Sequence, residues 1–205
     1  PGGLGSNAYA GHTFWDQETW MWPPLLLLDP ACARSTLQYR FNRRMEAHQK
    51  AVDCGTRNHA SSGSPTRGPL KDLTKDALMY PWESALTGTE VQYNKGAIGP
   101  WGMYEQHISG DIAFAAKQYW YTTQDDEWLR KIGFPLVKGI ADFYASRVVQ
   151  LVQDNTTVRY SYDAVMGPDE YNYPVNNSAY TNAVTRIALL FAVEAATYLG
   201  QTPDP

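Results

Sequence analysis

The sequence has few cysteines, no long apolar run and no large excess of one charge. Its only two cysteines, Cys32 and Cys54, have no second Cys or His at metal-ligand spacing, so neither a disulfide framework nor a metal site is predicted. No apolar run approaches the roughly 20 residues that cross a bilayer. Lys and Arg number 17 against 21 Asp and Glu, a net charge of −4 that excludes the basic field of a nucleic-acid-binding surface. We therefore expect a soluble protein whose partner is neither nucleic acid nor a membrane.

Aromatic side chains, in contrast, are abundant, at 13% of the chain. Three segments combine them with carboxylates: FWDQETW at residues 14–20, YPWES at 80–84 and GPDEYNYPVNN at 167–177. The apolar face of a pyranose stacks on an aromatic ring, while a neighbouring carboxylate bonds a hydroxyl or transfers a proton. These segments therefore favour a sugar ligand.

Apolar periodicity and helix-capping signals predict an all-α protein of paired helices. The predicted helices cover residues 14–28, 30–52, 106–122, 127–149 with a break near 133–135, and 178–199, and residues 157–165 are predicted to be extended. Pro23 and Pro24 would kink or end the first helix, which is predicted to be buried on most of its surface. Residues 54–76, rich in Gly, Ser and Pro, are predicted to be either a flexible, disordered surface insertion or a gene-model error such as a retained intron.

The acidic residues allow both a catalytic and a structural interpretation. Glu170 fits a general acid, because it lies on a loop and the adjacent Asp169 favours its protonated form. Both residues could instead only cap a helical turn. Asp16 and Glu18 are two residues apart and would point to different sides of a helix, so we expect one to face the site and the other to pair with solvent or an Arg.

In chain order, GHTFWDQETWMWP, YPWESALTGTEV, HISGDIAFAAKQYWYTTQD and MGPDEYNYPVNNSAYTN resemble glycoside hydrolase family 65, which includes acid trehalases and inverting disaccharide phosphorylases. The resemblance implies an (α/α)6 barrel, of which residues 1–205 would be the N-terminal portion. Within the family, the residues of these motifs most resemble those of an animal enzyme that removes glucose from Glc-α-1,2-Gal on collagen hydroxylysine. It implies a carbohydrate or glycosylated hydroxylysine substrate and no cofactor, and it favours the cytoplasm.

The same resemblance assigns the general-acid role to Glu170 and the binding of the transferred glucose to Trp15 and Asp16. It implies inversion, in which Glu170 protonates the glycosidic oxygen while a nucleophile attacks from the opposite face. In relatives, the carboxylate that activates water in a hydrolase comes well after the PDEY segment, and so does the phosphate site of a phosphorylase. We expect either feature to lie beyond Pro205. A disaccharide phosphorylase, an acid trehalase and a non-catalytic sugar-binding fragment are the alternatives to a hydrolase.

Further pocket residues are implied by the remaining motifs. Trp82 and Glu83 would lie at the same pocket, and His107 would line it. Asp111 and Asn182 fall in matching blocks and would line or brace the site. The residues alone also allow blander roles, since a Trp is more often part of the core and a His at a helix start is often a hydrogen-bonded structural residue. A buried Asp111 would in either case require a partner.

Overall fold

The computed structural model describes residues 9–56, 73–94, 97–152 and 158–201 of the chain. Its helices are α1 Asp16–Thr19, α2 Trp22–Leu28, α3 Pro30–Asn42, α4 Arg44–Thr56, α5 Pro100–Tyr104, α6 His107–Thr123, α7 Asp126–Trp128, α8 Phe134–Arg147 and α9 Ala179–Tyr198, with a π-helical turn Leu129–Gly133 between α7 and α8. Three antiparallel two-stranded sheets pair β1 Thr13–Phe14 with β2 Glu83–Ser84, β3 Tyr93–Asn94 with β4 Ala97–Ile98, and β5 Val149–Val152 with β6 Val158–Ser161.

The first predicted helix, over residues 14–28, is divided in the structure. Phe14 lies in β1 and pairs with Glu83 of β2, so the first helix, α1, begins only at Asp16. Pro23 and Pro24 occupy the first turn of α2, where the missing backbone N–H is not needed, so they start this helix. The predictions of one continuous helix and of a kink or end at the prolines were therefore wrong. The prediction of burial on most of the helix surface was also wrong, because Leu27 and Leu28 are exposed.

The next predicted helix is also two helices. Asp29 caps α3 as expected, because its side chain accepts a hydrogen bond from the Cys32 backbone N–H at 3.0 Å. The helix ends at Asn42, and α4 continues to Thr56, so residues 54–56 of the predicted insertion are helical. Residues 57–72 of that insertion lie outside the described residues.

The core lies between α6, α8 and α9. A Cβ on Gly110 of α6 would lie 2.5 Å from Cγ2 of Val184 on α9, so only glycine permits this helix contact. The Tyr144 hydroxyl of α8 donates to the Gln106 carbonyl at 2.8 Å and joins α8 to the start of α6. The large side chains with less than 2% exposure include Trp22, Trp128, Tyr80, Phe143 and Phe191.

Most of the C-terminal predictions are confirmed. The break near 133–135 is the π-helical turn, and α9 is capped by Ser178, whose side chain accepts from Thr181, with Gly200 at φ +71° after it. The predicted end of α8 at residue 149 was wrong, because Val149 pairs with Ser161 in the β5–β6 hairpin. Within the described part of the chain, no helix combines the length and apolar character that crossing a membrane requires.

Candidate active site

A short closed loop carries Glu170. Its base is an isolated antiparallel bridge in which Val165 and Val175 exchange backbone hydrogen bonds of 2.9 and 2.8 Å. The Met166 N–H donates to the Tyr104 carbonyl at 2.8 Å, which fixes the loop beside the start of α6. Glu170 itself has φ +59°, a left-handed conformation that is uncommon for a residue with a side chain. Strained backbone of this kind concentrates at functional sites.

The environment of Glu170 favours its protonated form. Burial raises the pKa of this carboxyl, and the negative charge of Asp16 raises it further. The charge of His107 and a hydrogen bond from the Trp101 side chain act in the opposite direction. The net direction is upward, as a general acid that must carry a proton near neutral pH requires.

Trp15 and Asp16 lie where β1 turns into α1. The Trp15 ring meets the His107 ring edge-on, with centroids 5.3 Å apart. Asp16 is half-buried; burial raises the pKa of its carboxyl, and the charge of Glu18 adds to that rise. Glu18 points the other way and binds Arg40, with Oε1 2.8 Å from Nε. The prediction that only one of the two acidic residues faces the site and the other pairs with an Arg is consistent with this arrangement.

Trp82 and Glu83 are held by a network behind the site. The Trp82 indole N–H donates to Glu105 Oε2 at 2.7 Å, and its ring stacks on Phe14 with centroids 5.7 Å apart. Both oxygens of Glu83 are already engaged, one by His12 Nδ1 at 2.8 Å and the other by the Gln92 side-chain amide. Both side chains are buried, and together they form a wall beside the Glu105 carboxylate.

Glu90 supports that wall from behind. One of its oxygens accepts the Trp82 backbone N–H at 2.8 Å and the Lys50 ammonium at 2.7 Å. The other accepts the backbone N–H groups of Glu83 and Gln92, both at 3.2 Å. A carboxylate with four donors is well satisfied although it is buried, and it fixes the segment that carries Trp82.

His107 lies at the centre of a buried cluster. Its Nδ1 is 2.8 Å from Asp111 Oδ2, one helical turn along α6, and the Tyr180 hydroxyl donates to the other Asp111 oxygen at 2.7 Å. His107 Nε2 lies 3.2 Å from Glu105 Oε2 but out of line for a hydrogen bond, so this second contact is an ion pair. The expected partner of Asp111 is therefore present.

The cluster also determines the charge of His107. Burial by itself lowers the pKa of the imidazole, but Asp111 and Glu105 outweigh it and raise the pKa to about 9. His107 is therefore an imidazolium at neutral pH. Burial raises the pKa of Glu105 as well, and the charge of Glu170 adds to that rise, whereas His107 and Trp82 oppose it.

Tyr9 shows that the acidic side chains surround one space. Its ring packs on Phe14 at a centroid distance of 4.1 Å. Burial is the first cause of its raised pKa, and the further causes are the charges of Glu170, Glu83, Asp16 and Glu105. The phenol thus lies within electrostatic reach of carboxylates contributed by segments far apart in the sequence. No group of three His, Cys, Asp or Glu side chains suited to a metal ion occurs in the described parts of the chain.

A family model of the glycosyl hydrolase family 65 central catalytic domain matches residues 1–61 and 67–204. The chain belongs to glycosyl hydrolase family 65. It is 43% identical over its whole length to a protein-glucosylgalactosylhydroxylysine glucosidase of Dictyostelium discoideum, and 38% identical over 98% of its length to a kojibiose hydrolase of Flavobacterium johnsoniae. It spans 26% of the length of each of these two relatives.

The fold agrees with this family. A solved structure from the human microbiome, named provisionally as a kojibiose phosphorylase, superimposes with a TM-score of 0.73 over 96% of this chain and 25% of that one, at 23% identity. The paired helices described above are thus part of the (α/α)6 barrel of family 65, as the sequence predicted.

In this family 65 chain, electrostatic and ring contacts link most of the sequence-predicted residues to one site. The charges of Asp16 and His107 both act on the pKa of Glu170, and the Trp15 ring contacts the His107 ring. Asn182 is directed elsewhere, with its amide 3.4 Å from Asn177 Oδ1. Sequence reasoning missed Tyr9, Trp101, Glu105 and Tyr180. Glu105 stands two residues before the motif block that begins at His107, and this proximity is the one signal that was available.

Proposed function

We propose that this chain carries the acid half of an inverting glycosidase site that removes an α-linked glucose from a disaccharide unit. The observation that supports this most directly is Glu170, a half-buried carboxyl with raised pKa on a strained loop, within electrostatic reach of Asp16 and His107. Membership of family 65 supports the reaction class. Acid catalysis on an acetal requires no cofactor.

In the proposed reaction Glu170 donates its proton to the glycosidic oxygen as the bond to the anomeric carbon breaks. A water molecule attacks that carbon from the opposite face, and a second carboxylate takes up the proton of this water. The two carboxyl groups of an inverting enzyme stand roughly 6.5–9.5 Å apart. By resemblance to family 65, the second carboxylate follows the PDEY segment in the full-length protein. Trp15 and Asp16 would bind the transferred glucose, whose anomeric carbon the water attacks.

The proposed substrate is Glc-α-1,2-Gal on hydroxylysine. Two relatives support an α-1,2 linkage, one named for glucosylgalactosylhydroxylysine and the other for kojibiose, which is itself an α-1,2-linked disaccharide of glucose. Phosphorolysis of a disaccharide is the second candidate, favoured by the phosphorylases that share this family's motifs. Acid trehalase activity is the third, and sugar binding without catalysis the fourth.

Substrate assays on the full-length protein separate these functions. Glucosylgalactosylhydroxylysine, kojibiose and trehalose are each incubated with and without inorganic phosphate. We expect glucose from the first two substrates with no requirement for phosphate, and β-glucose as the first anomer seen by proton NMR. Glucose 1-phosphate as product would establish a phosphorylase, and cleavage of trehalose alone a trehalase. Binding without any product would leave only a sugar-binding role.

Glu170→Gln tests the general acid. We expect kcat to fall roughly 10²- to 10⁴-fold, because a neutral amide cannot donate the proton to the leaving oxygen. Asp169→Asn is the matched control, since Asp169 is the exposed neighbour whose side chain accepts from Asn172 at 2.9 Å. Contrary to the expectation from the sequence, Asp169 is not among the charges that act on Glu170. The control should stay within a few-fold of wild type. A Glu170→Gln variant as active as this control would remove Glu170 from the role.

A further inference from the structure

Glu105 is a buried carboxylate that is only partly used by the protein. The residue is 1% exposed. Its Oε2 accepts the Trp82 indole N–H at 2.7 Å and faces His107 Nε2 at 3.2 Å. Its Oε1 is buried and has no hydrogen-bond partner among the described residues. Leaving a buried acceptor unpaired costs free energy, so such an atom calls for an explanation.

The position of Glu105 supplies one. Its charge acts on Tyr9 together with the charges of Glu170, Glu83 and Asp16, so Glu105 belongs to the same acidic group. Other buried atoms also lack partners in the described chain, among them Arg40 Nη1 and Glu46 Oε2. The charge of Glu170 acts on Glu105, whereas it is not among the charges that act on Arg40, and Glu46 acts on Tyr80 instead. The free oxygen of Glu105 differs from these because it is near the proposed acid.

We propose that Glu105 is a substrate-binding residue whose Oε1 accepts a hydrogen bond from one hydroxyl of the glucose unit. This inference rests on the proposed function, because it concerns the same pocket. A sugar hydroxyl is a neutral donor of the kind that a fixed carboxylate recognises, and Trp82 and His107 hold the other oxygen so that Oε1 cannot turn away without breaking both contacts.

The assignment has a consequence for specificity. A site built to bind a hydroxyl rejects the analogue that lacks it, because the buried acceptor is then left unpaired. Glu105 would therefore select for one hydroxyl position of the hexose. Its effect should be seen in kcat/KM for sugars that differ at that position and not at the others.

Glu105→Gln in the full-length protein, combined with the 2-, 3-, 4- and 6-deoxy forms of the cleaved glucose unit, tests this role. The amide oxygen can still accept from Trp82, so the wall is conserved. We expect kcat/KM on the parent disaccharide to fall roughly 10- to 100-fold. For the deoxy substrate that lacks the hydroxyl bound by Glu105, kcat/KM should be no lower in the variant than for the parent disaccharide in the variant. For the other three deoxy substrates, the loss in kcat/KM from the mutation and the loss from the missing hydroxyl should add.

Glu46→Gln is the matched control, because this Glu on α4 also has an unpartnered oxygen but acts on Tyr80 instead. It should leave the deoxy series unchanged. Additive losses for all four deoxy substrates in Glu105→Gln would overturn the proposal and reduce Glu105 to a structural partner of Trp82. A protein that binds the glucose unit without cleaving it would contradict the proposed function. In that case, dissociation constants measured by tryptophan fluorescence for the same variants and deoxy sugars would still test the role of Glu105.

Discussion

Two buried ionic clusters of this molecule, formed by segments far apart in the sequence, are built differently. In the first, Arg40 Nε and one terminal nitrogen bind the two oxygens of Glu18 at 2.8 and 2.9 Å, and both residues are at most 1% exposed. One positive charge meets one negative charge there. In the second, the single imidazolium of His107 stands between two carboxylates, Glu105 and Asp111. This cluster has two carboxyl groups for one imidazolium, and one oxygen of Glu105 has no hydrogen-bond partner among the described residues.

The difference separates a structural role from a functional one. The pair of Glu18 and Arg40 is balanced within the protein, and it links the turn that carries Asp16 to α3. The His107 cluster is unbalanced, and it lies where Glu170 and Trp15 meet it. A buried cluster with unmatched carboxylates beside the proposed acid suits a binding site, whereas a pair of equal and opposite charges away from it serves the fold.

Arg40→Met should have the largest effect on stability. It leaves the Glu18 carboxylate buried without its partner, so we expect the free energy of unfolding to fall by about 3–5 kcal/mol in urea titration. The double variant Glu18→Leu, Arg40→Met is the control, and it should recover most of that loss because no charge remains unpaired. A loss below about 1 kcal/mol for the single variant would contradict a closed, fully desolvated pair.

The His107 cluster should make stability depend on alkaline pH. Because the folded protein raises the pKa of His107 from 6.5 to about 9, it holds this proton more tightly than the unfolded chain does. The resulting stabilisation is complete below pH about 6.5 and is lost as pH rises through about 9, on the order of 3 kcal/mol in all. Unfolding free energies measured from pH 6 to 10 should show this slope. The variant His107→Gln should lack it, and an equal slope in both proteins would exclude His107 as its source.

Tyr180→Phe should have the smallest effect of the three. It removes the hydroxyl that donates to Asp111 at 2.7 Å, and we expect a loss of about 1 kcal/mol in unfolding free energy. Tyr198→Phe is the matched control, since Tyr198 donates to Asp126 at 2.9 Å on an exposed surface and should change stability by less than about 0.5 kcal/mol. Equal losses in unfolding free energy for the two variants would show that the buried hydrogen bond to Asp111 stabilises the protein no more than the exposed one to Asp126.

Local sequence signals account for the parts of the fold that are local. The cap at Ser178 and the glycine at position 200 delimit α9, and the expectation that one of Asp16 and Glu18 pairs with solvent or an Arg agrees with the contact between Glu18 and Arg40. The helix prediction failed at Phe14 because its strand partner, Glu83, lies 69 positions away in the chain. Nothing within a helical window reports such a pairing.

The site divides in the same way. Motif resemblance indicated Glu170, and the four-residue spacing of His107 and Asp111 on α6 could have indicated their contact. Tyr180 joins them from another helix, so only the packing of α6 against α9 reveals it. Glu105 was missed because its significance lies in an oxygen that accepts no hydrogen bond from the part of the chain that the structure describes, and a sequence contains no record of hydrogen bonds that are not made.

The backbone at Glu170 places two demands on one position. Its left-handed conformation suits glycine, yet the proposed chemistry needs a carboxyl there. A change to glycine would relax the loop while removing the acid, so selection for a more stable protein and selection for a more active one would push this residue in opposite directions. Directed evolution of thermostability that monitors only folding would therefore be expected to lose the acid at this position.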